Sequence, residues 1–287
     1  MDGAPVPAPD GRKPGDQGSG EDTGTVLVER VPAGDGQCAA LITLNRPDQL
    51  NAFDGAMLAM FQEALGRASQ DPAVRGVLIT GRGRAFSVGG DIKNFASLQA
   101  DPVGFPRFVD AFIHALTTIR TMDKPVLALV NGVCVGGGLE LLVACDFAWA
   151  AQSAQIGDAH LNYAQVGGAG AMSLLPRLIG PARARELVLS ARLLSAVEAF
   201  EWGLVNRVLP DEVLVETGIE LVRGLAAKSA AAVRSARHLI NTSITTDLEG
   251  ALRLERTSAL LHCLTLPDSM EGVTAFIEKR APRWPAG

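Results

Sequence analysis

Two glycine-rich segments hold the residue types most able to do chemistry in this chain. The first reads RAFSVGGDIK at residues 84–93, and the second reads NGVCVGGGLE at residues 131–140. Glycine lets a backbone approach a ligand closely and permits dihedrals that turn an N–H outward with no side chain in the way. Two such N–H groups converging on one oxygen would form an oxyanion hole. The glycines at 136–138 open an expected helix, whose positive end adds to that effect. Close packing of helix on strand is the other common use of such clusters, and residue types alone leave both readings open. Several chemistries are excluded at the motif level. There is no GxxxxGK(S/T) loop, no GxGxxG opening a helix after the first strand, and no GxSxG elbow. GGAG at 167–170 is a further flexible turn. His114, His160, His238 and His262 form no HxxxH or HExxH pair, so no metal site is expected. Cys38, Cys134, Cys145 and Cys263 show no CxxC spacing and read as reduced thiols.

Strands and helices must present these turns. Residues 25–31 and 40–45 are β-branched runs separated by Gly34 and Gly36, which predicts a hairpin. Asp54 is placed to cap a helix with a stripe of Met57, Met60, Phe61 and Leu65. Residues 76–80, 125–130 and 145–150 read as buried strands, with a helix at 106–121 and another after residue 138. Strands alternating with helices predict parallel layers. Beyond Gly180 the strand signal nearly vanishes, and 181–194, 196–203, 211–241, 248–266 and 268–278 read as helices. The expectation is an α/β fold with a tail at 1–24, a core at 25–195 and a helical region at 196–287.

Composition sets the outer bounds. Of the 287 residues, 47% are hydrophobic and 20% charged, which suits a large buried core. The tail is rich in Gly, Pro and Asp and has almost nothing apolar to bury, so it is expected to be flexible. Net charge is 26 − 31 = −5, with no basic stripe among aromatics, which argues against a nucleic-acid partner. Apolar runs stop well short of a membrane span, and the N-terminus lacks a basic segment followed by an apolar one. A cytoplasmic location is therefore expected.

Taken together, four segments resemble the enoyl-CoA hydratase/isomerase (crotonase) family over residues 25–284. Residues 44–52 (LNRPDQLNA) are similar to the family's LNRP…LNA element, and 84–93 to its AFSxGxDIK element. Residues 124–140 are similar to KPVxAxxNGxxxGGGxE, and 271–280 (EGVTAFIEKR) to the C-terminal EGxxAFxEKR element. The resemblance implies a crotonase-like core of stacked ββα turns with a helical C-terminal trimerisation region, and a homotrimer or dimer of trimers. It implies an acyl-CoA substrate, whose coenzyme A is part of the thioester, with no separate cofactor. By position, Gly90 and Gly137 match the residues whose N–H groups hold the thioester oxygen. Gly90, Asp91, Ile92 and Lys93 match the stretch along which coenzyme A lies. Phe276 and Lys279 match residues that reach its adenine and phosphate, often from a neighbouring subunit.

The family's hydratases use two glutamates. Glu140 matches the first, in the opening helical turn, where the helix dipole is expected to favour its carboxylate form. The second should lie in an FGxPE-like element, but residues 156–160 read IGDAH, which puts His160 at the glutamate position. The following PGAGG turn is altered to GGAGA. A histidine can donate or accept a proton near neutral pH and so can replace the missing acid/base group. Asp158 is a secondary candidate. The expected reaction is reversible hydration of a 2-enoyl-CoA through an enolate. Double-bond isomerisation, hydrolytic carbon–carbon cleavage of β-diketones and non-catalytic acyl-CoA binding stand as alternatives.

Overall fold

The computed structural model describes residues 24–284, so the expected tail lies almost wholly outside the described residues. The chain opens with an antiparallel hairpin, β1 (Val26–Gly34) and β2 (Gln37–Leu44). Its tight turn places Asp35 and Gly36 at φ of 30° and 74°, the backbone twist that two-residue hairpins favour. Helix α1 (Gly55–Gln70) follows, and Asp54 caps it by accepting from Met57 N at 2.8 Å. Met57, Phe61 and Leu65 are buried as expected. Met60 is 38% exposed, and Leu58 turns inward instead.

Three strand–strand–helix turns then stack. The first is β3 (Val74–Gly81), β4 (Ala85–Ser87), α2 (Ile92–Gln99) and α3 (Gly104–Thr121). The second is β5 (Val126–Val130), β6 (Val133–Val135) and α4 (Gly137–Ala144). The third is β7 (Phe147–Ala151), β8 (Gln155–Gly157) and α5 (Ala171–Ile179). Each turn gives its first strand to one sheet and its second strand to another. Next come α6 (Pro181–Ser190), β9 (Leu194–Ser195), α7 (Ala196–Glu201) and β10 (Arg207–Leu209). The six-stranded sheet has the order β1-β2-β3-β5-β7-β10 and is parallel from β2 onward. The four-stranded sheet has the order β4-β6-β8-β9.

Alternation along the central strands shows what covers the large sheet. Ile42, Val77, Ile79, Val126 and Ala128 point into the main core with α1, α3 and α4. Leu41, Leu78, Leu127 and Leu129 point to the opposite face, against Leu214, Ile219 and Val222 of α8 (Leu214–Ala226). Both faces are thus apolar, which is why these strands read as unbroken hydrophobic runs. The strand signal taken to end near Gly180 overlooks β9 and β10, two short edge strands of two and three residues. The single helix read at 211–241 is broken at Ser229, which caps a new helix by accepting from Ala232 N at 3.0 Å. The remaining helices are α9 (Ala230–Ser243), α10 (Leu248–Thr265) and α11 (Pro267–Ile277). Among these three, only Ala275 is fully buried.

Two asparagines tie the turns together. Asn51, wholly buried at φ 57°, donates to Arg82 O (3.0 Å) and Ala85 O (2.7 Å) and accepts from Arg46 N (2.9 Å). Asn131 accepts from Gly81 N and donates to Gly83 O, each at 2.9 Å. Both amides clamp the β3–β4 connection and give partners to its buried Gly81 N–H and Ala85 C=O. Asn51→Ala is expected to destabilise the protein by about 3 kcal/mol, because it removes three side-chain hydrogen bonds to backbone groups. A urea midpoint within error of wild type would refute this.

Candidate active site

The first glycine turn leaves β4, and its N–H groups can be followed one by one. Val88 N donates to Leu50 O (3.2 Å), Gly89 N to Ser87 Oγ (3.1 Å) and Asp91 N to Phe53 O (2.9 Å). Gly90 forms an isolated parallel bridge with Phe53, so its own N–H points away from that partner. Among the described residues the Gly90 N–H has no acceptor. Asp91 is held beside it by Arg46, whose Nη2 lies 3.0 Å from Asp91 Oδ2 and 3.3 Å from Asp54 Oδ2. Asp91 Oδ1 in turn accepts from Lys93 N at 3.2 Å. Ile92 and Lys93 are exposed.

The second turn leaves β6. Gly136, at φ 57°, donates to Asp158 O at 2.7 Å, and α4 begins at the next residue. The first helical bond runs from Glu140 N to Gly136 O (3.1 Å), so the N–H groups of Gly137, Gly138 and Leu139 have no acceptor within the helix. The two turns touch. A Cβ on Gly89 (φ 84°) would lie 2.9 Å from Gly137 Cα, and one on Gly137 would lie 2.9 Å from Gly89 Cα. Only glycine at both places allows this approach. Two adjacent turns, each with an unclaimed N–H, have the makings of a carbonyl-oxygen site.

Glu140 and His160 come together beside these turns. Glu140 is 3% exposed, and its Oε1 accepts from Ala169 N at 2.7 Å and more distantly from Ala171 N at 3.4 Å. A methyl group at Gly167 would lie 3.0 Å from Glu140 Oε1 and 3.1 Å from His160 Cε1, so the two side chains flank that glycine. His160 Nδ1 lies 3.0 and 3.1 Å from the two oxygens of Asp158, which is fully buried. The Nε2 edge faces Gly136, where an added Cβ would be 3.7 Å away.

Burial raises the Glu140 carboxyl above its ordinary value, against the opposing pull of the Ala169 N–H, His160 and the Ala171 N–H. The expectation that the helix dipole favours the carboxylate is therefore outweighed by desolvation. Burial works to lower His160, but the Asp158 hydrogen bond and the charges of Asp158 and Glu140 outweigh it and raise the imidazole.

The structure thus gathers Gly90, Gly137, Glu140 and His160 into one neighbourhood, with Asp91 at its edge. It does not bring Phe276 or Lys279 there. Phe276 is 84% exposed on α11, and Lys279 follows that helix at φ 56°. His114 is exposed on α3. An open cleft of about 600 Å³ borders Asp91 and includes Phe53, Leu58, Phe95, Phe108 and Arg107. A cleft of about 710 Å³ between β1 and α1 holds none of these residues. Sequence reasoning gave no role to Arg46, Asn51 or Asn131, and could not foresee that Ala169 and Ala171 hold Glu140 through backbone N–H groups. Glu140→Gln is expected to lower the His160 pKa, since a nearby negative charge is lost. A pH titration of the imidazole by NMR that shows no fall would contradict the facing geometry.

Comparison with known proteins places the chain. The family model described as "Enoyl-CoA hydratase/isomerase" matches residues 35–286. The crotonyl-CoA hydratase of Syntrophomonas wolfei is 36% identical over 245 residues, covering 84% of this chain and 92% of that protein. The 1,2-epoxyphenylacetyl-CoA isomerase of Escherichia coli is 36% identical over 248 residues, covering 85% and 93%. The crystal structure of an enoyl-CoA hydratase from Bacillus anthracis superposes with a TM-score of 0.85 at 35% identity, covering 92% of this chain and all of that one. The stacked ββα core with its C-terminal helices is the fold they share, and this chain belongs to the enoyl-CoA hydratase/isomerase family.

Proposed function

We propose that this protein catalyses reversible hydration of a 2-enoyl-CoA, with Glu140 and His160 as its acid/base pair. The observation that carries the reading is the placement of those two side chains across Gly167, beside two touching glycine turns with unclaimed N–H groups. In this reading the thioester oxygen lies between the N–H groups of Gly90 and Gly137, an oxyanion hole in which each donor contributes about 3 kcal/mol to the enolate. Glu140 takes a proton from water as the water oxygen bonds to Cβ, and the double-bond pair moves onto the carbonyl. The enolate then takes a proton at Cα from His160 Nε2–H, and the proton on Glu140 returns to the imidazole. One water is added, and the reverse sequence removes it.

No cofactor is required beyond the coenzyme A of the thioester, which would run along Gly90, Asp91, Ile92 and Lys93. Phe276 and Lys279 would meet its adenine and phosphate from a neighbouring subunit. An assembly as homotrimer or dimer of trimers is supported by the apolar side chains that α9, α10 and α11 leave exposed, among them Ile240 (63%), Leu248 (75%), Leu264 (79%) and Phe276 (84%). A reducing, cytoplasmic setting accords with four free cysteines.

Turnover is read by loss of conjugated-thioester absorbance across a panel of enoyl-CoA chain lengths. Glu140→Gln is expected to lower kcat roughly 10²- to 10⁴-fold. The reaction needs Glu140 ionised and His160 protonated, so its pH profile is a bell. The acid limb lies above the ordinary carboxyl value of 4.5, and the alkaline limb lies above the ordinary imidazole value of 6.5. His160→Glu separates hydration from isomerisation or carbon–carbon hydrolysis. Hydration that is absent in wild type and gained in the variant would overturn the proposal.

A further inference from the structure

We propose that Asp158 is a positioning residue that fixes His160 in the Nδ1–H tautomer and presents Nε2 to the Gly136–Gly137 turn as the proton-transferring atom. This rests on the reading of His160 as an acid/base group and adds a residue to it.

Three observations converge. Both Asp158 oxygens lie within hydrogen-bonding distance of Nδ1, at 3.0 and 3.1 Å, and Oδ1 also accepts from His160 N at 3.2 Å. An ionised carboxylate can only accept, so Nδ1 must carry a hydrogen and Nε2 is left to exchange the working proton. The same residue also fixes what Nε2 faces, because Asp158 O accepts from Gly136 N at 2.7 Å, immediately before α4 begins. Side chain and main chain of Asp158 therefore lock the histidine and the second glycine turn to each other. Between the two sits Ala159 at φ 60°, ψ −4°, a left-handed conformation that an alanine holds only under constraint from its surroundings. Asp158 itself is 0% exposed, so water does not compete for its oxygens.

The charged groups facing the imidazole are Asp158 and Glu140. Helix α6, packed against the His160–Tyr163 turn, carries Arg183, Arg185 and Glu186 at exposed positions. Two carboxylates thus bear on one imidazole, with separate tasks. Glu140 lies across Gly167 from the ring, whereas Asp158 holds Nδ1. Oriented this way, His160 can return to its protonated form after each transfer without rotating its ring.

The test uses Asp158→Asn, which keeps the shape and removes the charge. Its kcat for enoyl-CoA hydration is expected to fall roughly a hundredfold or more, with KM changed less than about twofold, because only proton transfer is impaired. The alkaline limb of its pH profile is expected to move to lower pH. A variant with wild-type kcat and an unmoved limb would overturn the proposal. Should Asp158→Asn fail to fold, ¹⁵N NMR of histidine-labelled wild type decides, with the His160 signals assigned by their loss in His160→Gln. Above the titration, a protonated Nδ1 and a bare Nε2 are expected, and the opposite tautomer would refute the proposal. This spectrum needs no turnover, so a chain inactive on every enoyl-CoA would reject hydration while the tautomer still answered for Asp158.

Discussion

Everything near the site depends on one contact between backbones. Gly89 and Gly137 press against each other with no side chain between them, and each lies at the start of a segment leaving the smaller sheet. That sheet is built from the second strand of each stacked turn, so adjacent strands β4 and β6 release their chains side by side. A Cβ at either glycine would lie closer to the facing backbone than carbon atoms allow, so the turns would have to move apart. Asn51 and Asn131 clamp the β3–β4 connection that leads into the first turn, and the Arg46 guanidinium holds Asp91 at its far end.

Electrostatics in this neighbourhood follow from enclosure. A carboxylate at the opening of a helix in water would be favoured by the exposed N–H groups. Glu140 is enclosed, and the loss of hydration dominates. Two backbone N–H groups and one imidazole compensate in part. The result is a pair of groups whose proton affinities are both displaced towards holding a proton.

Much of this was legible in the residues. The long central strands announced themselves because α1, α3 and α4 cover one face and α8 the other, which leaves no polar alternation to confuse the reading. The short strands β4 and β6 lie within segments read as turns, and β8 received no reading as a strand, since three residues are too few to show a period. The small edge strands β9 and β10 escaped notice for the same reason. Glu140 and His160 were visible as motif positions. That they should share a site followed from the resemblance, but the part of Gly167 between them did not, because that residue has no chemistry of its own. Asp158 stood only as a secondary candidate, since nothing in a D-x-H spacing reveals that its oxygens turn back onto the imidazole.

The segment from 158 to 171 has a modular character. It supplies the imidazole, the carboxylate beside Nδ1 and the amides that grip Glu140, and it meets the glycine turns through the bond from Gly136 N to Asp158 O. Exchanging this stretch would change what surrounds Glu140 while the Gly89–Gly137 contact kept its own residues, provided a carbonyl still met Gly136 N. The backbone contact and the buried side chains around Glu140 are thus separable parts of one fold, joined at a main-chain hydrogen bond.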